Sequence, residues 1–327
     1  MNPPLKVAVI GCGRMGSAHL RNLCQWDTVK VVAVCDQIPG VSEVAAQFTG
    51  GTHYTDPVRM LAEEELDAVY VATNTGSHAQ IGAAVLSSGR HLFLEKPLAL
   101  NADDARHLVD QARGSSQIHA VGHQWRYLRG VDRALEYLRD KPLSVMNLTY
   151  YWTWPLVDWI ADRTTGGGQV MDQGIHLLDL ARYFAGNPVQ ISAQYTLNAR
   201  KQEQFPNWDG QVVIGRFDRG AVFSLTTTYS LFKEIINPAQ VDVIAQDLLV
   251  RITPQETHII TPETITIYRE VESPVEREDR MFVEACLKHD PTLIRSTIPD
   301  AAQSLGMVLT ANASAENGVT LSYTLEM

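Results

Sequence analysis

The chain reads as an α/β protein in two parts: an N-terminal doubly wound parallel sheet, then an α+β domain with a mainly antiparallel sheet. Three observations predict this. Short apolar runs alternate with helix-like segments over residues 1–122. A glycine-rich turn, Gly11-Cys12-Gly13-Arg14-Met15-Gly16, directly follows the first apolar run. Beyond residue 189 strands succeed one another, with helices gathered at the ends.

The apolar runs of the first part lie at 6–10, 29–35, 68–72, 91–94 and 118–122. They are short, rich in Val and Ile, and bounded by Gly, Asp or Asn, the pattern of strands buried on both faces. Helices are expected between them at 15–26, 41–48, 57–64, 77–88 and 102–113, with Gly89 capping the fourth. Such a β-α repeat forms a parallel sheet with helices on both faces. The organisation changes near residue 123, so the expected domains are 1–122 and 123–327. The second part should open with a helix at 130–139 and a strand at 144–151. A loop then carries Trp152, Trp154, Trp159 and the run Gly166-Gly167-Gly168. A helix over 169–184 follows, closed by Gly186 and Pro188. Strands come next at 190–197, 211–217 and 221–231, the last two a hairpin turning at Asp218-Arg219-Gly220. Helices at 275–289 and 299–316 close the chain.

The bulk numbers agree with two domains of ordinary size. The chain has 327 residues, 45% hydrophobic and 20% charged, with no apolar run long enough to span a membrane. Its start, MNPPLKVAVIGCG, enters a strand without the basic head and apolar stretch of a signal peptide, so a cytoplasmic location is expected. A net charge of −10 disfavours binding to nucleic acid. Cys12, Cys24, Cys35 and Cys286 lack the spacing of a zinc site or redox pair and read as reduced thiols.

In the glycine turn each glycine has a task. Gly11 permits the tight turn, Gly13 lets backbone approach a pyrophosphate, and Gly16 allows close helix–strand contact. The helix start offers N–H groups to phosphates, with Arg14 and Met15 in its first turn. Asp36 ends the second strand, where a carboxylate accepts hydrogen bonds from ribose hydroxyls and repels a 2′-phosphate. No arginine follows in Gln37-Ile38-Pro39, so NAD is favoured over NADP.

Four segments together carry a resemblance: VAVIGCGRMGSAHL, VATNTGSHAQIGAAVLSSGRHLFLEKPLAL, VGHQWRY and GGGQVMDQGIHLLDLARYFAG. With these the chain resembles the glucose–fructose oxidoreductase / inositol dehydrogenase (Gfo/Idh/MocA) family over nearly its whole length. The resemblance implies a Rossmann domain followed by an α/β domain with a large open sheet that commonly serves as an oligomer interface. A homo-oligomer, dimer or tetramer, is therefore expected. It implies NAD(P)-dependent oxidation or reduction of a hydroxyl or ketone on a sugar, cyclitol or related molecule. Lys96 matches the catalytic lysine of the family's Glu-Lys-Pro motif, and the Lys96–Pro97 bond is often cis in the family. Asp172 and His176 match its DxxxH pair. Thr73, Asn74, His78, Glu95 and Pro97 fall in segments that line the cofactor, and Arg126 and Tyr127 match an Arg-aromatic pair near the substrate. The chain departs from the family at His123-Gln124-Trp125 and in its tryptophan-rich loop, which puts the substrate rather than the reaction in question.

The residues support that chemistry on their own terms. Lys96 would sit at the C-terminal end of a parallel strand, where open α/β sheets bind ligands. Its ammonium can donate to a substrate oxygen and favour an alkoxide; a lysine paired with Glu95 at a strand end fits the sequence equally well. Asp172 and His176, four apart on a helix, share a face. A histidine ordinarily titrates near neutral pH, which suits proton exchange with a hydroxyl, and Asp172 can bind a second hydroxyl. A first-turn aspartate and a packed histidine are the plainer reading of that pair. Trp154 and its neighbours offer indole faces to a sugar ring, or pack in the core. Arg163 reads as a surface residue. His19, His53, His91, His107, His119, His258 and His289 show no metal spacing and read as solvated or packed; the reaction needs no metal. The leading expectation is thus an NAD-dependent dehydrogenase or reductase. Cofactor-cycling glycoside elimination or hydrolysis, and a catalytically silent nucleotide-binding regulator, are the alternatives.

Overall fold

The computed structural model describes residues 3–155, 157–200, 206–235 and 239–323. It divides into two compact units. One holds the described residues up to His123 together with Val275–Ala302, the other Gln124–Pro274 and the described residues from Gln303 on.

The first unit is a six-stranded sheet in the order β3-β2-β1-β4-β5-β6. Its strands are β1 (Leu5–Ile10), β2 (Val29–Cys35), β3 (Thr52–Tyr54), β4 (Ala68–Val71), β5 (His91–Leu94) and β6 (His119–Val121). Every neighbouring pair is parallel. This is the order of a dinucleotide-binding doubly wound sheet, with its switch point between β1 and β4. Val7, Ala8 and Val9 are fully buried, as strands covered on both faces require. The helices are α1 (Arg14–Leu23), α2 (Pro39–Thr49), α3 (Pro57–Glu63), α4 (His78–Ser87) and α5 (Ala102–Arg113). Their ends follow local rules. The Asn101 side chain caps α5 by accepting the Asp104 N–H at 2.9 Å, and Gly89 is left-handed just past α4. The short edge strand β3 went unread because three residues, two of them exposed, leave no apolar run.

The second unit begins with α6 (Arg129–Leu138) and β7 (Leu143–Thr153). Two short helices, α7 (Asp158–Ala161) and α8 (Arg163–Gly166), occupy the tryptophan-rich loop. Helix α9 (Ile175–Ala185) is followed by β8 (Pro188–Thr196), β9 (Gly210–Phe217), β10 (Val222–Leu231), β11 (Ala239–Ala245), β12 (Leu248–Ile252), β13 (Glu256–Ile260) and β14 (Ile265–Arg269). The chain ends with α10 (Pro274–Lys288), α11 (Ile298–Asn317) and β15 (Leu321–Ser322). Among the described residues the sheet has nine strands, ordered β14-β13-β12-β11-β7-β10-β9-β8-β15. Its pairs are antiparallel except β7 with β10, which run parallel. Along β10, Phe223, Leu225, Thr227 and Tyr229 are buried and the alternating residues are not, so one face packs and the other is open.

Two expectations need correction. The helix expected over 169–184 starts as a π-helical turn, Val170–Gly174, and becomes α-helical at Ile175. The second domain is also not the continuous stretch 123–327. Phe282, Val283, Ala285 and Cys286 of α10 belong to the core of the first unit. There the Phe282 ring meets Tyr70 and Phe93 edge-on at 5.3 and 5.5 Å. Periodicity announces an amphipathic helix but not the sheet that receives its apolar face.

Candidate active site

The nucleotide end is built where β1 meets β4. Gly11 has φ +86°, and a Cβ there would lie 2.5 Å from the Ala72 carbonyl oxygen. A Cβ on Gly16 would lie 1.8 Å from the Gly11 oxygen. Around Gly13 no heavy atom comes within 4 Å of such a position. Two glycines are thus required by close backbone, and the third leaves its side of the loop open. Helix α1 starts there with no side-chain cap and no acidic residue in its first turn. Its first N–H groups have no partner within the helix. The exposed Arg14 and half-buried Met15 flank them. Asp36 accepts the Cys12 N–H at 2.9 Å through one oxygen and the Ile38 N–H at 3.0 Å through the other. The carboxylate therefore shapes the loop as well as ending β2. Uncapped N–H groups, an open side over Gly13 and a strand-end carboxylate fit a pyrophosphate and ribose. Burial pushes the Cys12 thiol up to about 12, so it is no nucleophile at neutral pH.

The Glu-Lys-Pro segment follows β5 on the same edge of the sheet. The Glu95 N–H donates to the Val71 carbonyl at 2.9 Å, and the Lys96–Pro97 bond is cis. Lys96 is half-buried; Glu95 is buried. The Glu95 carboxylate turns inward. One oxygen accepts the Lys96 N–H at 3.0 Å, and the other lies 3.2 Å from Nε2 of His19. His19 Nδ1 meets Asp279 at 2.7 Å. Burial opposes ionisation of Glu95, yet the bond to His19 and its charge, with Lys96 and His78, hold it below the ordinary value. His78 is also turned inward. Its Nδ1 lies 2.7 Å from the Pro97 carbonyl and its Nε2 3.1 Å from that of Thr73. Both ring nitrogens are engaged, so His78 ties the Pro97 turn to the Thr73 segment. Burial moves it below the usual histidine range. Thr73 and Asn74 remain partly or fully exposed at the end of β4.

In the second unit, Asp172 sits in the π turn and His176 in the first turn of α9. π turns occur frequently at functional sites. The Tyr229 hydroxyl donates to Asp172 at 3.2 Å, and the Gln173 amide donates to the same oxygen at 3.0 Å. His176 is 5% exposed. Three residues expected near the substrate are engaged within the protein. Arg126 is 1% exposed and its guanidinium grips Asp179 through two bonds of 2.7 and 2.6 Å. Ser304 donates to the same carboxylate. Tyr127 beside it is equally buried. Trp154 packs with Trp152 and Leu197 around Tyr229 and Ala161, and the Arg200 guanidinium lies 5.1 Å from its ring centroid.

Within the first unit the sheet edge therefore gathers the glycine loop, Asp36, Thr73, Asn74 and Lys96. One helical segment of the second unit carries Asp172 and His176. Sequence reasoning missed His19, Asp279, Gln173 and Tyr229. A signal for Asp279 exists: with Phe282, Val283 and Cys286 it follows the i, i+3, i+4, i+7 spacing of a buried helix face. A carboxylate on such a face needs a partner. Among the described residues no group of three or more His, Cys, Asp or Glu could hold a metal ion. No helix among them is long and apolar enough to cross a membrane.

Comparison with known proteins agrees with this architecture. Residues 5–123 match the model of an oxidoreductase family with an NAD-binding Rossmann fold. Residues 142–241 match the GFO/IDH/MocA C-terminal domain. The chain belongs to the Gfo/Idh/MocA oxidoreductase family. It is 27% identical over 225 residues to myo-inositol 2-dehydrogenase of Thermotoga maritima, covering 67% of this chain and 66% of that protein, just under two thirds of it. It is 26% identical over 251 residues to D-glucoside 3-dehydrogenase of Escherichia coli, covering 70% of this chain and 71% of the relative. Among solved structures, GenD2 from gentamicin A biosynthesis, in complex with NAD, superposes with a TM-score of 0.85 at 25% identity, covering 99% of this chain and 98% of that one. Levoglucosan dehydrogenase, solved with NADH and levoglucosan, gives 0.89 at 18% identity over 98% of this chain and 100% of that one, a likeness of fold alone.

Proposed function

We propose that the chain is an NAD-dependent oxidoreductase that moves hydride between nicotinamide and a hydroxyl or ketone carbon of a sugar, polyol or cyclitol. The observation that carries the reading is Lys96, whose backbone is pinned by a buried carboxylate on the ligand-binding edge of a parallel sheet. The names of the relatives, an inositol and a glucoside dehydrogenase, support the substrate class. Bound nicotinamide supplies the hydride acceptor or donor. The glycine loop and the start of α1 hold the pyrophosphate, with Arg14 and Met15 beside it. Asp36 accepts the ribose hydroxyls and disfavours a 2′-phosphate. Thr73, Asn74 and Pro97 line the cofactor. Lys96 donates to the substrate oxygen and stabilises developing negative charge there. His176 takes the hydroxyl proton during oxidation, and Asp172, fixed by Tyr229 and Gln173, accepts a second substrate hydroxyl. The open face of the second sheet exposes Val212, Ile214 and Val222, and this face joins copies of the chain.

The test is nicotinamide absorbance with excess NAD across inositols, aldoses and deoxy sugars. The expected result is a rise with one or more of them. Lys96→Met should lower kcat by about 10²–10⁴-fold. Turnover unchanged in that variant sinks the assignment.

A further inference from the structure

We propose that His19 is a positioning residue for Lys96: clamped between Asp279 and Glu95, it holds the Glu95 carboxylate in the orientation that pins the Lys96 N–H. The inference rests on the reading of Lys96 as the group that meets substrate.

The geometry is a continuous chain within the first unit. The Asn22 amide donates to one oxygen of Asp279 at 2.8 Å. The other Asp279 oxygen lies 2.7 Å from His19 Nδ1, and His19 Nε2 lies 3.2 Å from Glu95. The second Glu95 oxygen accepts the Lys96 N–H at 3.0 Å. The His19 and Asp279 side chains are 0% exposed, and that of Glu95 is 6% exposed. Burial raises Asp279 above the ordinary carboxylate value, and His19 and Asn22 oppose that rise; with both carboxylates ionised, a ring between them satisfies both only with a proton on each nitrogen. Aromatic neighbours of the ring are Tyr70 and Phe93, at 5.3 and 5.0 Å between centroids. Burial among them opposes the charge. Asp279 and then Glu95 outweigh it and raise His19 to about 10. Gly122 closes another side of Glu95: a Cβ there would stand 3.1 Å from the carboxyl carbon. The carboxylate is thus walled, bonded at both oxygens and unable to swing without releasing Lys96.

A buried ion triad is weak evidence for stability, since apolar residues of similar volume commonly do as well. Holding a specific orientation is what the triad adds. Glu95 touches the backbone of Lys96, and the hydrogen bonds described join His19 to Lys96 through Glu95. The arrangement requires no transfer of His19's proton during turnover.

The test uses the full chain. In protein labelled with ¹⁵N-histidine, His19 should carry protons on both ring nitrogens at pH 8; a ring with no proton on Nε2 overturns the clamp. In His19→Gln, acetic anhydride labelling of Lys96, measured against exposed Lys30 by mass spectrometry, should change at least about threefold; an unchanged ratio overturns the proposal. With a substrate in hand, His19→Gln should lower kcat about tenfold and move KM less than about threefold. Asp279→Asn leaves a neutral ring able to donate to Glu95, so its kcat should stay within about threefold of wild type even as its melting point falls. If kcat simply follows melting temperature across both variants, the triad is only structural. Should His19→Gln fail to fold, the spectra of the unaltered protein and Asp279→Asn still decide. If the wild type turns over no substrate, the proposed function fails, while the spectra and the labelling judge the clamp separately.

Discussion

Asp36 shapes the loop and, in the proposed function, also meets the ligand. Its two oxygens each accept a backbone N–H, from Cys12 and Ile38. Replacement by Ala should weaken NADH binding about tenfold or more, the scale of one or two lost hydrogen bonds. NADPH binding should suffer less, because repulsion of a 2′-phosphate disappears as well. Fluorescence titration with both nucleotides checks this, and an unchanged NADH/NADPH ratio would remove Asp36 from cofactor choice. The glycines make a second contrast. Gly13→Ala should leave the melting temperature nearly unchanged, since nothing lies within 4 Å of the new methyl, yet weaken NADH binding. Gly16→Ala would place its methyl 1.8 Å from backbone oxygen, and overpacking of that kind costs about 1–3 kcal/mol or more. Equal melting points for the two variants would contradict the loop geometry. These positions were legible in the sequence because a glycine turn between strand and helix has few uses. His19 was not, because ten histidines look alike until their neighbours are known.

Among the elements, α1, α10 and the end of β5 are tied by His19, Asp279 and Glu95. This gives a pH dependence with a definite sign on the alkaline side. His19 is raised above its ordinary value of 6.5, so its contribution to stability is full below that value and declines as pH rises through about 10. Thermal melting should fall between pH 7 and 10 in the wild type and fall less steeply in His19→Gln. Parallel curves would show that another group governs the alkaline limb. The elements of the first sheet were largely legible, because each strand is an apolar run with a turn at either end. The π turn at Val170–Gly174 was not. An i, i+4 pair reads alike in an α-helix and in one widened turn, and only the backbone distinguishes them. The strands from β11 to β14 were foreseen as a succession, but their order around β7 depends on long-range pairing that alternation alone does not encode.

For the molecule as a whole, the return of α10 to the first unit matters most. Phe282 is 1% exposed against Tyr70 and Phe93. Phe282→Ala should cost about 3–5 kcal/mol. A polypeptide of residues 1–123 alone should lack a cooperative thermal transition, and joining residues 275–302 to it should restore one. A sharp melt from the shorter piece would contradict the packing described here. The open face of the second sheet makes a separate claim. Ile214, 51% exposed on β9, should yield a smaller species by light scattering when changed to Lys. The sequence indicated where the first unit's chain leaves but not that it comes back.

That return also sets an order of events during biosynthesis. A ribosome releases the glycine loop and all six strands of the nucleotide-binding sheet early, but not the aromatic plug that α10 supplies. At ordinary elongation rates the gap is on the order of ten to thirty seconds. Through that interval the nascent sheet has its Tyr70 and Phe93 faces uncovered, while most of the second sheet is emerging beside it. The first part of the protein to be made is therefore among the last to be finished, and its exposure to chaperones is written into the order of the chain.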